Sequence, residues 1–275
     1  LTLESGLEAD YNTLDGHYSF ISNGTAIALP AADPKVNEKR GEANIQASWK
    51  FAPDWSLEAG TRFEYSAIAA HGVPSRDFSF VKPRLLLSWE PMPNMQLRAR
   101  AEKMVGQLDF KNFIASSSFS TNGISAGNLA IKPDQRWQFE GDAEYHFWGK
   151  GALVLSYTRE NITDLVDFIP IGGGLDGPGN IPKATNNIYN IELSMPLDRL
   201  GWDGGTFKPS LIWKDATVPD PVTGEIRQIS NQQDRKLVFN FLQDIPDWHS
   251  SVTLTMQTAF KRPNFRIAQV NAIQL

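Results

Sequence analysis

The stretch Arg136–Phe147, RWQFEGDAEYHF, decides the fold class because its residues alternate between two chemical types. Successive side chains of a β-strand point to opposite faces, so this alternation predicts a strand with one apolar and one charged face. The apolar set is Trp137, Phe139, Ala143, Tyr145 and Phe147, and the polar set is Arg136, Gln138, Glu140, Asp142, Glu144 and His146.

The same alternation recurs along the chain. Residues 40–51 and 55–65 flank Pro53-Asp54 and predict a hairpin. These strands are long enough for the roughly 9–11 residues of a tilted transmembrane strand, whereas soluble strands average about 5–6. About twelve strands are predicted in all. Weaker examples span 3–10, 79–90, 95–106, 152–162, 187–196, 206–216, 235–243, 249–260 and 264–275.

The predicted connections alternate between short and long. Such alternation is typical of a barrel with short periplasmic turns at one end and long extracellular loops at the other. The short connections are 52–54, 91–94, 148–151, 197–205 and 244–247, and the long ones are 11–37, 67–78, 107–134, 163–186 and 217–234.

Tryptophan placement agrees with a membrane barrel. Six of these residues lie in or beside the short connections, as expected for an aromatic belt at one membrane interface. They are Trp49, Trp55, Trp89, Trp148, Trp202 and Trp248.

Composition excludes several classes of protein. With 41% hydrophobic and 21% charged residues, the chain is neither disordered nor collagen-like. A net charge of −5 with interspersed signs gives no basic stripe for nucleic acid. Cysteine is absent, which excludes disulfides and thiolate metal sites. No apolar run approaches the roughly 20 residues of a membrane helix, so a membrane crossing requires a closed barrel.

The fold prediction is therefore all-β: a segment of an antiparallel up-and-down transmembrane β-barrel, forming one β-barrel region over residues 1–275. A soluble β-sandwich or β-solenoid is the alternative, because alternation alone does not distinguish lipid from a dry core. Charged faces on nearly every strand favour the barrel, whose lumen needs a polar lining.

No catalytic constellation stands out, so we expect no enzyme, no catalytic residue, no metal and no cofactor. Pairs of acids such as Asp164 and Asp167 arise by chance in a chain with 31 acidic residues. The glycine-rich stretch 172–179 lacks the Lys and Ser/Thr of a phosphate-binding loop. The histidines are scattered without metal-ligand spacing: His17, His71, His146 and His249.

A set of charged residues falls on the polar faces of the predicted strands. In a barrel these side chains line the lumen, where they solvate the wall, contact a plug through salt bridges or guide an anionic solute. The set is Arg62, Glu64, Arg84, Arg98, Arg100, Arg136 and Glu140.

An ordered series of motifs carries a resemblance to a known family. From about Ala47 to Leu275 the chain resembles the barrel of TonB-dependent receptors of sphingomonad-like bacteria, with a departure at Leu129-Ala130. The motifs are Phe80-Val81-Lys82-Pro83-Arg84, Gly106-Gln107-Leu108-Asp109-Phe110, Phe113-Ile114-Ala115-Ser116, Gly127-Asn128, Lys132-Pro133, Phe147-Trp148-Gly149, Ile162-Thr163-Asp164, Val166-Asp167, Gly179-Asn180-Ile181, Pro196-Leu197-Asp198-Arg199-Leu200-Gly201 and Asp220-Pro221-Val222-Thr223-Gly224-Glu225.

Several of these motifs fall in predicted loops. Gly127-Asn128, Gly179-Asn180 and Asp220-Pro221 are predicted to fix unusual backbone angles where the chain re-enters the barrel. Turn chemistry is one reading of these positions, and ligand contact is the other. The loop-motif positions are Asp109, Phe110, Gly127, Asn128, Asp164, Asp167, Gly179, Asn180, Asp220 and Pro221.

The resemblance implies a receptor in the outer membrane of a Gram-negative cell that takes up a ferric siderophore, cobalamin or a glycan. Its implied partners are outer-membrane lipid, a plug domain, the TonB energy-transducing complex and the small-molecule or glycan ligand, with no nucleic acid. The chain begins at Leu1 inside an alternating segment, and about twelve strands compare with about 22 in plugged transporters. We therefore expect a piece of a longer protein, with no plug domain and two open sheet edges. A passive porin, and a soluble binding module or glycan-acting enzyme, remain the alternatives.

Overall fold

The computed structural model describes residues 1–17, 20–22, 24–27, 35–70, 74–108, 116–118, 123–125, 128, 130–172, 175–258, 262–264 and 272–274. Within these residues the secondary structure is almost entirely β-strand. Two single-turn 3₁₀ helices, Asp198–Leu200 and Pro246–Trp248, lie in connections. No helix in the described ranges has the length and apolarity needed to cross a membrane.

The strands follow one another along the chain as hairpins. They are β1 (Thr2–Asp15), β2 (Phe20–Ser22), β3 (Thr25–Ile27), β4 (Lys35–Ala52), β5 (Trp55–Ala70), β6 (Arg76–Met92), β7 (Met95–Val105), β8 (Ser116–Ser118), β9 (Gly123–Ser125), β10 (Gln135–Phe147), β11 (Gly151–Gly172), β12 (Leu175–Pro196), β13 (Gly205–Pro219), β14 (Ile226–Gln228), β15 (Arg235–Ile245), β16 (Ser250–Gln257), β17 (Arg262–Asn264) and β18 (Ala272–Gln274).

The long strands form one antiparallel sheet with up-and-down connectivity. The hydrogen-bonded order is β1-β4-β5-β6-β7-β10-β11-β12-β13-β15-β16, in which every neighbour along the path is also the next long strand in sequence. The short strands β8, β9 and β14 attach beside this path. The predicted all-β up-and-down fold is confirmed. The last predicted strand, 264–275, lies mostly outside the described residues.

The short connections are where the alternation predicted them. Tight turns occupy Pro53-Asp54, Pro93-Asn94 and 148–150. The last of these turns uses positive φ at Trp148 (52°) and Gly149 (79°), a conformation that glycine adopts without strain. The predicted long connections join the strands at the opposite end of the sheet, which we call the extracellular end because transmembrane barrels have their long loops at that end.

The apolar face of the sheet is exposed. Trp49, Phe63, Val81 and Phe139 each leave between 46% and 56% of their surface accessible, although all four are large and hydrophobic. A second sheet packed on this face, as in a sandwich, would cover them. A contiguous apolar surface of this extent is expected to contact lipid or another apolar partner.

The charged face is the more enclosed of the two. Glu38, Glu42, Glu64 and Glu160 are only 5% to 8% exposed. Acidic side chains are almost never this buried in a water-soluble fold unless they are paired. The chain is thus inverted relative to a soluble protein, with charge inside and hydrophobic surface outside, and this pattern favours a barrel over the sandwich alternative.

The strands extend further at the loop end than the sequence predicted. Residues 163–186 were expected to form a loop, but β11 continues to Gly172 and β12 begins at Leu175. The expectation was wrong because glycine, asparagine and proline in this stretch resemble loop composition. The two extended strands pair with each other and pack on a small apolar cluster, and these tertiary contacts outweigh local propensity.

A backbone irregularity shifts the alternation in this extension. Asp164 has a φ of 55°. Before Asp164 the buried residues of β11 are even-numbered, as at Ile162, and after it they are odd-numbered, as at Leu165. The opposite strand shows the matching change from Ala184 to Ile181. Beyond Asp164, odd-numbered residues of β11 therefore face the enclosed side. This change in the buried face explains why a strict two-residue alternation did not predict that the strand continues beyond this point.

Candidate functional site

A network of charges occupies the enclosed face of β4, β5 and β6. Lys82 Nζ lies 3.3 Å from Glu42 and also contacts Glu64, and Arg40 bonds to the same two carboxylates. Arg62 pairs with Glu42 at 3.3 Å, although its own side chain is half exposed. Three cations share two nearly buried carboxylates, so each acid is held by more than one partner and the wall remains polar without unpaired anions.

A second network lies on the enclosed face of β7, β10 and β11. Arg100 Nη2 donates to Glu140 at 2.6 Å, and Thr158 also donates to Glu140. Arg136 pairs with Glu160 at 3.4 Å and with Asp134. Arg98, the remaining predicted member, lies 3.5 Å from Glu144 and 3.7 Å from Asp142. The structure therefore places all seven predicted lumen residues on the enclosed face, divided between the two networks and a recess on the same face.

A recess on the enclosed face of β4 to β7, which contains Arg62 and Arg84, has a volume of about 170 Å³. Its enclosed-face lining comes from the two arginines together with Asn44, Gln46, Gly60, Lys82, Glu102 and Met104. The Nε of Arg84 is buried and has no hydrogen-bond partner within the described ranges. A buried donor left without a partner costs free energy, so this atom is poised to bind an acceptor that enters the recess.

Near the extracellular end, residues 130–134 form a strap that is hydrogen-bonded to two separate strands of the sheet, β6 and β12. Arg76 on β6 donates to the carbonyl oxygens of Ala130 and Ile131 at 2.7 and 2.8 Å. Asn180 on β12 accepts from the Lys132 N–H at 2.8 Å and donates to its carbonyl at 2.9 Å. The Ile131 side chain is fully buried in a cluster with Val36, Ile68 and Leu108. The strap therefore links strands that are four positions apart in the sheet order.

A buried ion triad stabilises the neighbouring connection, which follows β13. Arg227 donates to Asp167 at 2.8 Å and to Asp220 at 3.0 Å, and the side chains of Arg227 and Asp167 are only 8% and 3% exposed. Asp220 also accepts from the N–H groups of Val222 and Thr223. Burial opposes ionisation of this carboxyl, but those N–H groups and Arg227 together lower its pKa below the ordinary value.

The other loop-motif positions vary in role. Asp220 and Asn128 make side-chain hydrogen bonds that are typical of turns, and Asn128 Oδ1 accepts from Ala130 N at 2.8 Å. Pro221 lies in the turn 221–223 that follows Asp220. Gly179 and Asn180 lie inside β12 rather than in a loop, so their predicted role as loop punctuation is wrong. At Gly179 an added Cβ would lie 2.1 Å from Ile169 Cδ1, so a larger residue there would require the Ile169 side chain to move. Asp109, Phe110 and Gly127 lie outside the described residues.

Several contributors were missed by the sequence reading. Arg40, Glu42 and Lys82 follow the same two-residue alternation as the predicted lumen set and could have been found from it. Arg76 and Arg227 could not, because their partners are 55 and 60 residues away along the chain. Over the described residues, no group of three or more histidine or acidic side chains is arranged to hold a metal ion.

Comparison with known proteins identifies the family. A model described as TonB dependent receptor-like, beta-barrel, matches residues 2–269 of the chain. The chain belongs to this family. No curated protein matches it significantly. The family consists of receptors rather than enzymes, which confirms the expectation that this protein is not an enzyme.

Solved structures of similar fold include two transporters and an import receptor. The FrpB iron transporter from Neisseria meningitidis has a TM-score of 0.66 at 14% identity, covering 95% of this chain and 40% of that one. The copper transporter OprC has a TM-score of 0.64 at 14% identity, with coverage of 88% and 39%. The ferric-catecholate import receptor Fiu from K12 E. coli has 0.62 at 11% identity, with 88% and 39%. The chain thus spans about two fifths of the length of these proteins, and the likeness shows a shared fold.

Family membership assigns the two faces of the sheet. TonB-dependent receptor barrels are outer-membrane proteins of Gram-negative bacteria. In such barrels the apolar face contacts lipid and the polar face lines the lumen. We therefore expect the exposed aromatic face to be the outer face of the barrel wall, and the face with the two charge networks and the recess to be its inner face.

Proposed function

We propose that the chain forms part of the barrel wall of an outer-membrane receptor that takes up a scarce anionic solute by TonB-coupled transport. The ferric siderophore class fits best, ahead of cobalamin and glycans. The observation that carries this choice is the recess that contains Arg62 and Arg84 on the inner face. A neutral glycan would leave the buried Arg84 donor without a charged acceptor.

The ion pairs of the wall support the choice of Arg84. Each of the other predicted lumen cations has a carboxylate within ion-pair distance in the described part of the chain. Arg84 has none within that distance there, since Glu102, its register neighbour on β7, pairs with Arg100 at 3.7 Å instead. A guanidinium that is not neutralised by the wall attracts an anion that passes through the lumen. The iron and catecholate named for FrpB and Fiu agree with such a solute.

The test is uptake of a radioiron-labelled catecholate siderophore by cells that express the complete gene product under iron limitation. The double variant Arg62→Gln/Arg84→Gln should raise the half-saturating concentration roughly ten-fold, because two charge-assisted hydrogen bonds are lost. Deleting TonB should abolish uptake. A passive porin shares the wall but keeps its transport rate without TonB.

Lys50→Gln provides the matched control. Lys50 is an exposed residue of the polar face beside the periplasmic turn after β4, so its loss removes one cation far from the recess. Its uptake curve should overlay that of the parent. Equal effects of Lys50→Gln and the double variant Arg62→Gln/Arg84→Gln would overturn the assignment of the recess, and uptake that persists without TonB would overturn coupled transport.

A further inference from the structure

The outer face of β10, β11 and β12 contains an open apolar groove. Its volume is about 460 Å³. Outward-facing members of its lining are Gly141, Ala143, Leu155, Tyr157, Tyr189 and Ile191. Its exposed surface is therefore almost wholly hydrocarbon and aromatic, as expected for a surface that holds an acyl chain.

Gly141 forms the floor of the groove, and a row of aromatic rings in contact forms one side. Gly141 pairs with Tyr157, which pairs with Tyr189, which pairs with Trp213. The ring centroids of Tyr157 and Tyr189 are 5.1 Å apart, and those of Tyr189 and Trp213 are 5.3 Å apart. A Cβ added at Gly141 would meet no atom within 4 Å. The space above this glycine is therefore open, and it lies beside a rigid aromatic ridge.

A fixed cation lies at the extracellular end of the groove. Arg159 is two residues beyond Tyr157 on β11 and faces the same side of the sheet. Its guanidinium donates to Asn187 at 2.8 Å and to Asn161 at 3.2 Å. Both acceptors are neutral amides, and no carboxylate lies within ion-pair distance of Arg159 in the described portion of the chain. Its charge is thus positioned without being neutralised.

Neighbouring side chains reinforce this polarity. The Tyr157 hydroxyl donates to the same Asn187 oxygen at 3.0 Å, which orients the ring beside the cation. Lys103 lies further toward the extracellular end, where it pairs with Trp137 on β10. The one acid in the Arg159 row, Asp215, is separated from Arg159 by the strand that carries Asn187. The groove therefore leads from hydrocarbon toward positive charge.

We propose that this groove binds one anionic lipid of the extracellular leaflet, with an acyl chain over Gly141 and the acidic headgroup on Arg159. Charge complementarity selects this occupant, because a neutral lipid gains nothing from an unneutralised guanidinium at the membrane interface. The extracellular position of Arg159 selects the leaflet. The proposal rests on the outer-membrane location proposed above, but it is independent of any solute and of transport.

The test uses the complete gene product, extracted from membranes in mild detergent and stripped of lipid. Native mass spectrometry then measures retention of added lipid A, with phosphatidylglycerol and phosphatidylcholine as comparisons. Gly141→Leu should reduce bound lipid A at least about five-fold, because the new side chain occupies the groove without a backbone clash. Arg159→Gln should reduce it by a similar factor, whereas Arg159→Lys should retain most of the binding.

Ala43→Leu is the matched control for bulk on the outer face. Ala43 is exposed on β4, outside the groove, and its substitution should change lipid retention by less than about two-fold. Equal retention by Gly141→Leu and the parent overturns the site. So do a preference for phosphatidylcholine, equal binding of phosphatidylglycerol, or a dimer that Gly141→Leu dissociates. Siderophore uptake by Gly141→Leu should equal that of the parent. The two proposals can therefore be tested independently, and the failure of one does not decide the other.

Discussion

The two ends of the barrel wall are stabilised in different ways. At the periplasmic end, neighbouring strands meet in tight turns held by backbone bonds, such as Glu90 N to Asp54 O at 2.9 Å and His146 N to Asn94 O at 2.7 Å. At the extracellular end, the strap and the ion triad connect segments that are remote in sequence through buried side chains. Local chemistry therefore determines the periplasmic end, and long-range packing determines the extracellular end.

This difference predicts that single substitutions act far more strongly at the extracellular end. The largest effect is expected for Asp167→Ala, which removes one of the carboxylates that Arg227 contacts. Removing one partner of a buried pair costs about 3–5 kcal/mol. Hydrogen exchange on the complete gene product should show faster exchange in residues 165–181 and 220–230, with little change in the periplasmic turns.

Two further variants isolate the charge effect at Asp167. Asp215→Ala removes an exposed acid from β13 and should leave exchange near the parent rate. The double variant Asp167→Ala/Arg227→Leu removes both buried charges and should regain part of the lost protection. Unchanged protection in Asp167→Ala itself would show that the triad does not hold this end.

The next effect concerns the strap. Ile131→Ala removes a fully buried side chain from the cluster with Val36, Ile68 and Leu108, so the local free energy of opening should fall by about 2–5 kcal/mol. Limited proteolysis should then cleave within residues 130–134 more rapidly. Ile131→Val keeps most of the volume and should cost only about 0.5–1.5 kcal/mol. Equal cleavage of both variants would exclude a packing role for Ile131.

The same difference between the ends explains what the sequence could predict. In residues 136–147 the apolar set that includes Trp137 alternates with the polar set that includes Glu140. The face on which each set lies, the hairpins and the short turns therefore follow from local spacing. The parts of β11 and β12 within residues 163–186 were not predicted, because the alternation of buried residues changes at Asp164 and because glycine at position 179 is typical of a turn. What stabilises this stretch is contact with β13 and Ile229, which no local pattern reveals.

The candidate site shows the same division. Alternation placed Arg62, Glu64 and Arg84 on one face, yet it could not show that Glu64 is paired while Arg84 Nε is left without a partner. That distinction depends on which strands are neighbours and on side-chain reach. Residue type and period therefore predict a polar lumen wall, whereas the unneutralised cation emerges only from the three-dimensional arrangement.

A smaller effect is expected at the periplasmic end. Gly149→Ala places a side chain at φ of 79°, where no atom lies within 4 Å of the added Cβ. The cost is therefore backbone strain alone, about 1 kcal/mol. Hydrogen exchange at the turn 148–150 should increase modestly, without any change in the strap. Gly149→Asn is the control, because asparagine tolerates this conformation and should behave like the parent. A loss comparable to that of Asp167→Ala would contradict the proposed difference between the ends.

The smallest effect at ordinary pH, and one that only the extracellular end should show, comes from Asp220. The pKa of Asp220 is lowered in the folded loop, so the folded state holds its proton less tightly than the unfolded loop does. The stabilisation is therefore complete above the unfolded pKa, about 3.9, and is lost as the pH falls through the lower folded value. Proteolysis with an acid-active protease should accelerate at residues 220–230 below about pH 4 and remain constant between about pH 5 and 8. Asp220→Asn keeps two of the acceptor bonds but cannot titrate, so its cleavage should lose this added acid dependence. If the parent and Asp220→Asn respond identically to acid, another group opens the loop, and the triad holds through Asp167 and Arg227 alone.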